Sequence, residues 1–260
     1  MKNNFLKLAL IFALISWSQN KFSTSEIAVT DLLRGTLYSP TIKSKTNLVI
    51  VIAGSGPTDR NGNQTGMTNN SLKMLSEGIA NSGTAVFSYD KRILAQIKNK
   101  SIDESKLLFS DMIDDAKMVI NFFKNQKKYN KIIVAGHSEG SLIGMVAANG
   151  LAGGFITLAG AGRPIDEIIE QQIAKQYPSI KDELRAKLDL LKAGQTFETT
   201  TLAPALAVMF RKSVQPYMIS WIKLNPQIEI AKLQIPILII NGDKDLQIQV
   251  ADAQLLQKAK

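Results

Sequence analysis

Short apolar runs alternate with helical patterns through the middle of the chain. Four runs are almost wholly apolar, as expected of parallel strands that are buried on both faces: residues 47–53 (NLVIVIA), 84–89 (TAVFSY), 131–135 (KIIVA) and 155–159 (FITLA). A fifth, residues 236–240 (PILII), follows much later. Helical patterns lie between the first four, at residues 71–81, 110–124 and 138–149. This alternation predicts an α/β fold with a mostly parallel sheet and flanking helices.

Two local features add to this prediction. Residues 34–38 are expected to form an antiparallel strand at one edge of the sheet. Ser110 is expected to cap the middle helix, because a serine oxygen can accept a hydrogen bond from the first free N–H groups. Asp111, Asp114 and Asp115 follow it and favour the positive end of the helix dipole.

The alternation stops after residue 159. Residues 162–233 read as amphipathic helix interrupted by prolines, which is too long for a connection between strands. They predict a helical cap, inserted between a first part of the α/β core at 19–161 and its continuation at 234–260. The large apolar residues of this cap either line a substrate cavity or pack among its own helices; they are Met209, Phe210, Tyr217, Met218 and Trp221.

The N-terminus and the composition indicate an exported protein. Residues 1–18 combine Lys2 and Lys7 with a short apolar run and small residues, which is typical of a signal peptide. A periplasmic or secreted chain starting near Gln19 is expected, with no stable membrane span after cleavage; the alternative is an N-terminal membrane anchor. No cysteine occurs, so no disulfide can form.

The net charge of +9 comes from scattered lysines and indicates a solvated surface rather than a nucleic-acid partner. One histidine and no cysteine leave no cluster of metal ligands, and no cofactor is indicated.

The segment GHSEG (136–140) carries the strongest chemical signal. Ser138 stands between two glycines, after a predicted buried strand and before a predicted helix. In that setting a sharp turn exposes a nucleophilic serine, and only glycine lets the strand and the helix approach closely enough. The alternative is a serine that merely caps the helix.

Two further segments follow predicted strands. AGSGP (53–57) is a glycine-rich turn, where the backbone N–H of Ser55 could join that of Glu139 in stabilising an oxyanion. An ordinary glycine turn is the alternative. In NGDKD (241–245), Asp243 or Asp245 could supply a carboxylate that orients an imidazolium.

Together these segments resemble the α/β-hydrolase superfamily, in its secreted branch of esterases and serine aminopeptidases with a helical cap. The likeness runs from about residue 30 to the C-terminus, on AGSGPTDRNGN (53–63), YDKR (89–92), GHSEG (136–140), LAGAGRP (158–164) and IPILIINGDKD (235–245). It implies a carboxylesterase that acts on a small-molecule ester through an acyl-enzyme. It also implies Ser138 as nucleophile, the backbone of Ser55 and Glu139 as oxyanion hole, and Asp245 rather than Asp243 as the acid.

The family's histidine is missing from the expected place. It should follow the acid by a few tens of residues, after one more helix and one more strand, but residues 246–260 contain none. The single histidine, His137, adjoins Ser138 on a turn, where neighbouring side chains point apart, so it is expected to be a packing residue. We therefore expect a chain that is truncated at its C-terminus and inactive or impaired.

Three alternatives remain open at this level. A serine–lysine pair is possible, although no lysine is singled out by spacing. The same set of residues could belong to a serine aminopeptidase or another amidase that acts on a short peptide. A non-catalytic exported binding protein would keep the fold without the base.

Overall fold

A seven-stranded sheet forms the centre of the computed structural model, which describes residues 21–41 and 44–260. The predicted signal peptide, residues 1–18, lies outside the described residues. The strand order is β1-β2-β4-β3-β5-β6-β7, and every neighbouring pair from β4 to β7 is parallel. The strands are β1 Phe22–Ala28, β2 Arg34–Pro40, β3 Leu48–Ile52, β4 Ala85–Tyr89, β5 Ile132–His137, β6 Gly154–Leu158 and β7 Ile237–Ile240.

The five apolar runs all form parallel strands, so the predicted α/β fold is confirmed. Every residue of β3 and of β4 is buried, as a strand covered by helices on both faces requires. These strands bring their carboxyl ends to one edge of the sheet, where the segments after β3, β5, β6 and β7 meet.

The antiparallel part of the sheet differs from the prediction in one respect. β2 is antiparallel to β4, as expected, but the edge position belongs to β1, which pairs with β2 along its whole length. The sequence of β1, FSTSEIA, is mostly polar and mostly exposed. A strand of this kind gives no apolar run from which to predict it.

Ten α-helices occur in the described residues. Their bounds are α1 Ser71–Asn81, α2 Arg92–Lys98, α3 Phe109–Asn125, α4 Glu139–Ala148, α5 Ile165–Gln176, α6 Lys181–Lys192, α7 Pro204–Met209, α8 Gln215–Ile222, α9 Pro226–Ala231 and α10 Val250–Ala259. The short helix α2 was not predicted. The predicted capping role of Ser110 is wrong: α3 begins at Phe109, and the Asp111 carboxylate accepts a hydrogen bond from the Leu108 N–H at 2.8 Å instead.

The helices α5 to α9 lie between the neighbouring strands β6 and β7, with no strand among them. They have an apolar core of their own, which includes the fully buried side chains of Leu184, Leu188, Leu206 and Phe210. This arrangement is the helical insertion that the sequence predicts; the limits 162 and 233 remain predictions. Within residues 21–41 and 44–260, no helix is long and apolar enough to cross a bilayer.

Candidate active site

Ser138 lies in a strained turn between β5 and α4. Its backbone has φ 53° and ψ −120°, a conformation that costs a non-glycine residue on the order of 1–3 kcal/mol. The Ser138 N–H donates to the Leu158 carbonyl of β6 at 2.9 Å, which holds the turn against the sheet. The Ser138 hydroxyl makes no capping hydrogen bond to α4, so the alternative of a simple helix cap does not describe this serine.

The flanking glycines let the strand and the helix touch. A Cβ on Gly136 would lie 2.1 Å from the Gly140 carbonyl oxygen, and a Cβ on Gly140 would lie 2.5 Å from the Ile52 carbonyl oxygen. Real Cβ atoms do not approach backbone atoms this closely. The predicted reason for glycine at both positions is therefore confirmed.

Ser138 faces a cavity of about 240 Å³ at the carboxyl edge of the sheet. The cavity is bordered by the turn after β3, by the start of α4, by the loop after β6 and by the loop after β7. Its lining includes Ser55, Ser138, Glu139, Arg163, Trp221, Gln247 and Ile248. The structure thus brings three of the predicted site residues, Ser55, Ser138 and Glu139, to one cavity.

A second cavity, of about 230 Å³, adjoins the first on the side of α3 and α8. Ser55, Glu139 and Trp221 border both cavities. The walls of the second cavity are mainly apolar and include Ile93, Leu107, Met112, Val214 and Met218.

The turn after β3 is held rigidly on both sides of Ser55. The Gly54 carbonyl accepts a hydrogen bond from the Lys91 ammonium group at 2.5 Å. The Ser55 carbonyl accepts from the Thr58 hydroxyl at 2.7 Å and from the Gln64 amide at 2.9 Å. The backbone N–H groups of Ser55 and Glu139 have no acceptor among the described residues.

The loop after β7 places Asp245 and Asp243 in different surroundings. Asp243 is exposed. Asp245 is half-buried, and its Oδ1 accepts hydrogen bonds from the N–H groups of Gln247 at 2.8 Å and Ile248 at 3.0 Å. Gln247 and Ile248 line the Ser138 cavity, whereas Asp245 itself is not part of its lining.

His137 is half-buried at the end of β5, close to Gly54. No hydrogen bond joins it to Ser138 within the part of the chain that the structure describes. Burial lowers the pKa of His137 below its ordinary value, and the negative charge of Asp245 opposes this shift to a smaller extent. His137 is therefore largely neutral at neutral pH.

The cap contributes to the cavities through α5, α8 and the start of α9. Tyr217, Met218 and Trp221 line them, whereas Phe210 is buried in the cap's own core and Met209 packs against that core. The large apolar residues of the cap therefore have both predicted roles: those of α8 line the cavities, and Met209 and Phe210 pack among the cap's own helices. Burial and the adjacent Glu139 carboxylate raise the pKa of Tyr217 well above its ordinary value.

Sequence reasoning missed the three charged residues that follow β4. Asp90 accepts from the Arg60 guanidinium at 2.7 Å, and Arg92 binds Asp115 through two hydrogen bonds of 2.6 and 2.7 Å. Lys91 lies between them and is only 4% exposed. The available signal was their position, because a charged residue directly after a buried strand lies at the carboxyl edge of the sheet.

Comparison with known proteins gives a family. The BD-FAE family model matches residues 36–259. Esterase EstD of Thermotoga maritima is 26% identical over 222 residues, which are 81% of this chain and 49% of EstD, so the chain spans about half of that curated relative.

Two solved structures have a similar fold. Est1E from Butyrivibrio proteoclasticus superposes with a TM-score of 0.56 at 16% identity, over 91% of this chain and 84% of that chain. The Pyrococcus furiosus esterase PF2001 has a TM-score of 0.56 at 14% identity, over 92% of this chain and 76% of that chain. The chain therefore belongs to the BD-FAE family, and the predicted α/β-hydrolase fold is confirmed.

Proposed function

We propose that this chain is built to hydrolyse carboxylic esters through an acyl-enzyme on Ser138. The observation that supports this most strongly is the meeting of three features at one cavity. They are a serine in a strained turn with an uncapped hydroxyl, and the two backbone N–H groups of Ser55 and Glu139, which lack an acceptor in residues 21–41 and 44–260. Such N–H groups can stabilise the negative oxygen of a tetrahedral intermediate.

The proposed reaction has two steps. Ser138 Oγ attacks the ester carbonyl carbon and gives its proton to a base; the bond to the alcohol oxygen then breaks, and the alcohol leaves with that proton. Water attacks the acyl-serine in the same way and releases the carboxylic acid. Asp245 would hold the base, because a carboxylate stabilises the imidazolium that forms.

The two cavities suggest where each half of the ester binds. The base must reach the leaving oxygen, so the alcohol belongs on the side of the Asp245 loop, in the cavity with Arg163 and Gln247. The acyl group then enters the apolar cavity beside Met112 and Met218. That cavity has a volume of about 230 Å³. Short acyl chains are therefore the proposed substrates.

None of the 260 residues is proposed as the base. His137 adjoins Ser138 without a hydrogen bond to it in the described residues, and residues 246–260 contain no histidine. We therefore expect the 260-residue chain to be inactive or impaired until an external base is supplied.

Chemical rescue with imidazole tests this proposal. The 260-residue chain is assayed with p-nitrophenyl butyrate, with and without imidazole, beside Ser138→Ala and Asp245→Asn. We expect hydrolysis by the chain with imidazole to be at least tenfold faster than hydrolysis by imidazole alone, since general-base catalysis contributes roughly 10²–10⁴-fold. Ser138→Ala should abolish this gain, and Asp245→Asn should reduce it. If the Ser138→Ala variant with imidazole hydrolyses the ester as fast as the original chain does, the proposal is refuted.

A matched amide substrate distinguishes the esterase from the amidase alternative. Alanine p-nitroanilide releases a related chromophore from an amide bond. We expect imidazole-supported hydrolysis of the ester and none of the anilide. Preference for the anilide would refute the ester assignment.

We also propose that the chain is exported and that residues 1–18 are removed. The support is the composition of that segment, a positive start followed by a short apolar run. N-terminal sequencing of the secreted protein should begin near Gln19. Protein that keeps residues 1–18 would contradict export by cleavage.

A further inference from the structure

We propose that Lys91 is a positioning residue that fixes the Ser55 N–H in the oxyanion hole, an inference that rests on the proposed function. Lys91 is the residue before α2, and its side chain is 4% exposed. A buried lysine is rare unless it has partners. The Lys91 ammonium has two: the Gly54 carbonyl oxygen at 2.5 Å and the Glu139 carboxylate oxygen at 3.4 Å.

The bond to Gly54 sets the direction of the neighbouring N–H. In a trans peptide the C=O and the N–H lie in one rigid plane and point in opposite directions. The Gly54 carbonyl and the Ser55 N–H belong to the same peptide. When Lys91 holds that carbonyl on one side, the Ser55 N–H must face the other side, away from Lys91.

The following peptide is fixed as well. The Ser55 carbonyl accepts hydrogen bonds from Thr58 and Gln64, at 2.7 and 2.9 Å. Lys91 thus completes a set of contacts that leaves the Ser55 N–H with one orientation. An oxyanion hole depends on donors that are already oriented before charge develops.

Glu139 connects Lys91 to the second donor. The Glu139 carboxylate is 2% exposed and lies against the Lys91 ammonium, while the backbone N–H of the same residue opens α4. Lys91 therefore contacts the peptide that carries the Ser55 N–H, through the Gly54 carbonyl, and the side chain of Glu139. Lys91 also borders the apolar cavity, but it makes no hydrogen bond to Ser138, so its role is positioning.

A purely structural ion pair is the competing explanation. Removing one member of a buried pair leaves an unpaired buried charge and is strongly destabilising, but replacing both members together is often close to neutral. If Lys91 orients the Ser55 N–H, a folded variant without Lys91 binds an oxyanion more weakly. If the pair is only structural, oxyanion binding by such a variant is unchanged.

Binding of butylboronic acid provides a measurement of oxyanion binding that does not need turnover. Ser138 Oγ forms a bond to boron, the hydroxyl proton passes to the buffer, and boron becomes tetrahedral with a negative charge. One of its oxygens then occupies the position of the oxyanion. Boron NMR gives the dissociation constant, and thermal melts report folding.

The variants are Lys91→Met, Lys91→Arg and the double variant Lys91→Met/Glu139→Gln. Lys98→Met is the control, because Lys98 is an exposed lysine at the last residue of α2. We expect the control to bind as the original chain does and Lys91→Met to bind at least tenfold more weakly, since loss of an oxyanion donor costs roughly 10²–10³-fold in rate. Lys91→Arg, which keeps a donor, should recover part of the affinity. In imidazole-supported hydrolysis, kcat should fall with KM unchanged.

Each outcome is decisive. If Lys91→Met does not fold, the double variant replaces it, because it leaves no unpaired buried charge. Unchanged boronate affinity in a folded variant that lacks Lys91 would overturn the positioning role, while loss of binding in Ser138→Ala would keep the proposed function. Absence of binding to the original chain, or binding that survives in Ser138→Ala, would overturn both.

Discussion

Arg163 and Asp252 form a two-point ion pair, with Nε to Oδ1 at 3.0 Å and Nη2 to Oδ2 at 2.8 Å. Asp252 is fully buried, and its Oδ1 also accepts from the Gly162 N–H at 3.1 Å. The pair joins the loop after β6 to α10. Since Arg163 lines the Ser138 cavity, this contact fixes one wall of the candidate active site.

The first prediction concerns that pair. Asp252→Ala leaves a half-buried guanidinium and a buried N–H without their partner, and should lower the free energy of unfolding by about 3–5 kcal/mol. Urea unfolding measures this loss. Asp243→Ala is the control, because Asp243 is an exposed aspartate of the nearby loop, and it should stay within about 0.5 kcal/mol of the original chain. Equal stability of the two variants would refute a structural role for the pair.

The second prediction concerns the glycine at the Ser138 turn. Gly136→Ala places a methyl group 2.1 Å from the Gly140 carbonyl oxygen, so the turn must shift. Overpacking of this kind should cost about 1–3 kcal/mol or more and remove boronate binding.

Gly78→Ala is the matched control for that change. Gly78 lies inside α1, and a Cβ there meets nothing within 4 Å. Alanine is the better helix former, so this variant should be about 0.5–1 kcal/mol more stable. Thermal melts of both variants provide the comparison. A Gly136→Ala variant that matches Gly78→Ala in stability would contradict the close contact at the turn.

The third prediction concerns pH. Burial lowers the pKa of His137 in the folded chain below the ordinary value of 6.5. As the pH falls from about 7.5 to about 5.5, His137 takes up a proton in the unfolded chain before it does so in the folded chain, so the free energy of unfolding decreases. At about pH 7.5, one unit above the ordinary pKa, His137 is almost wholly neutral in both states, and the effect nearly disappears.

Replacing the single histidine isolates this contribution. We expect His137→Asn, which cannot titrate, to lose less stability between about pH 7.5 and about pH 5.5 than the original chain. Urea midpoints at the two pH values give the comparison, and titrations common to both proteins cancel. An equal pH dependence, or a steeper one in His137→Asn, would show that the pKa of His137 is not lowered by folding.

The parts of the fold that the sequence predicted are those with an apolar signature. Buried parallel strands are continuous apolar runs, and β3 and β4 are buried along their whole length. β1 was missed because its sequence, FSTSEIA, is mostly polar and is stabilised by pairing with β2. The Ser110 cap failed because Asp111, three residues beyond Leu108, supplies the capping carboxylate.

The site was predictable to a similar extent. The strained turn at Ser138 follows from glycines placed between a strand and a helix. The position of Lys91 after β4 indicates the carboxyl edge of the sheet, but its burial and its contacts with Gly54 and Glu139 are seen only in the folded chain. The loop after β7 contains two aspartates; the resemblance implied Asp245, and in the structure Asp245 is half-buried and accepts hydrogen bonds from Gln247 and Ile248, whereas Asp243 is exposed.

The nucleophilic role of Ser138 is the central claim, and mapping the acyl adduct tests it most directly. The 260-residue chain is incubated with p-nitrophenyl butyrate, digested and examined by mass spectrometry. Deacylation needs the same base as acylation, so an adduct formed with little base present should persist. We predict a butyryl group on the peptide that carries Ser138, and none on that peptide in Ser138→Ala. Hydrolysis that proceeds equally in Ser138→Ala, with the butyryl group on other residues or absent, would contradict the claim.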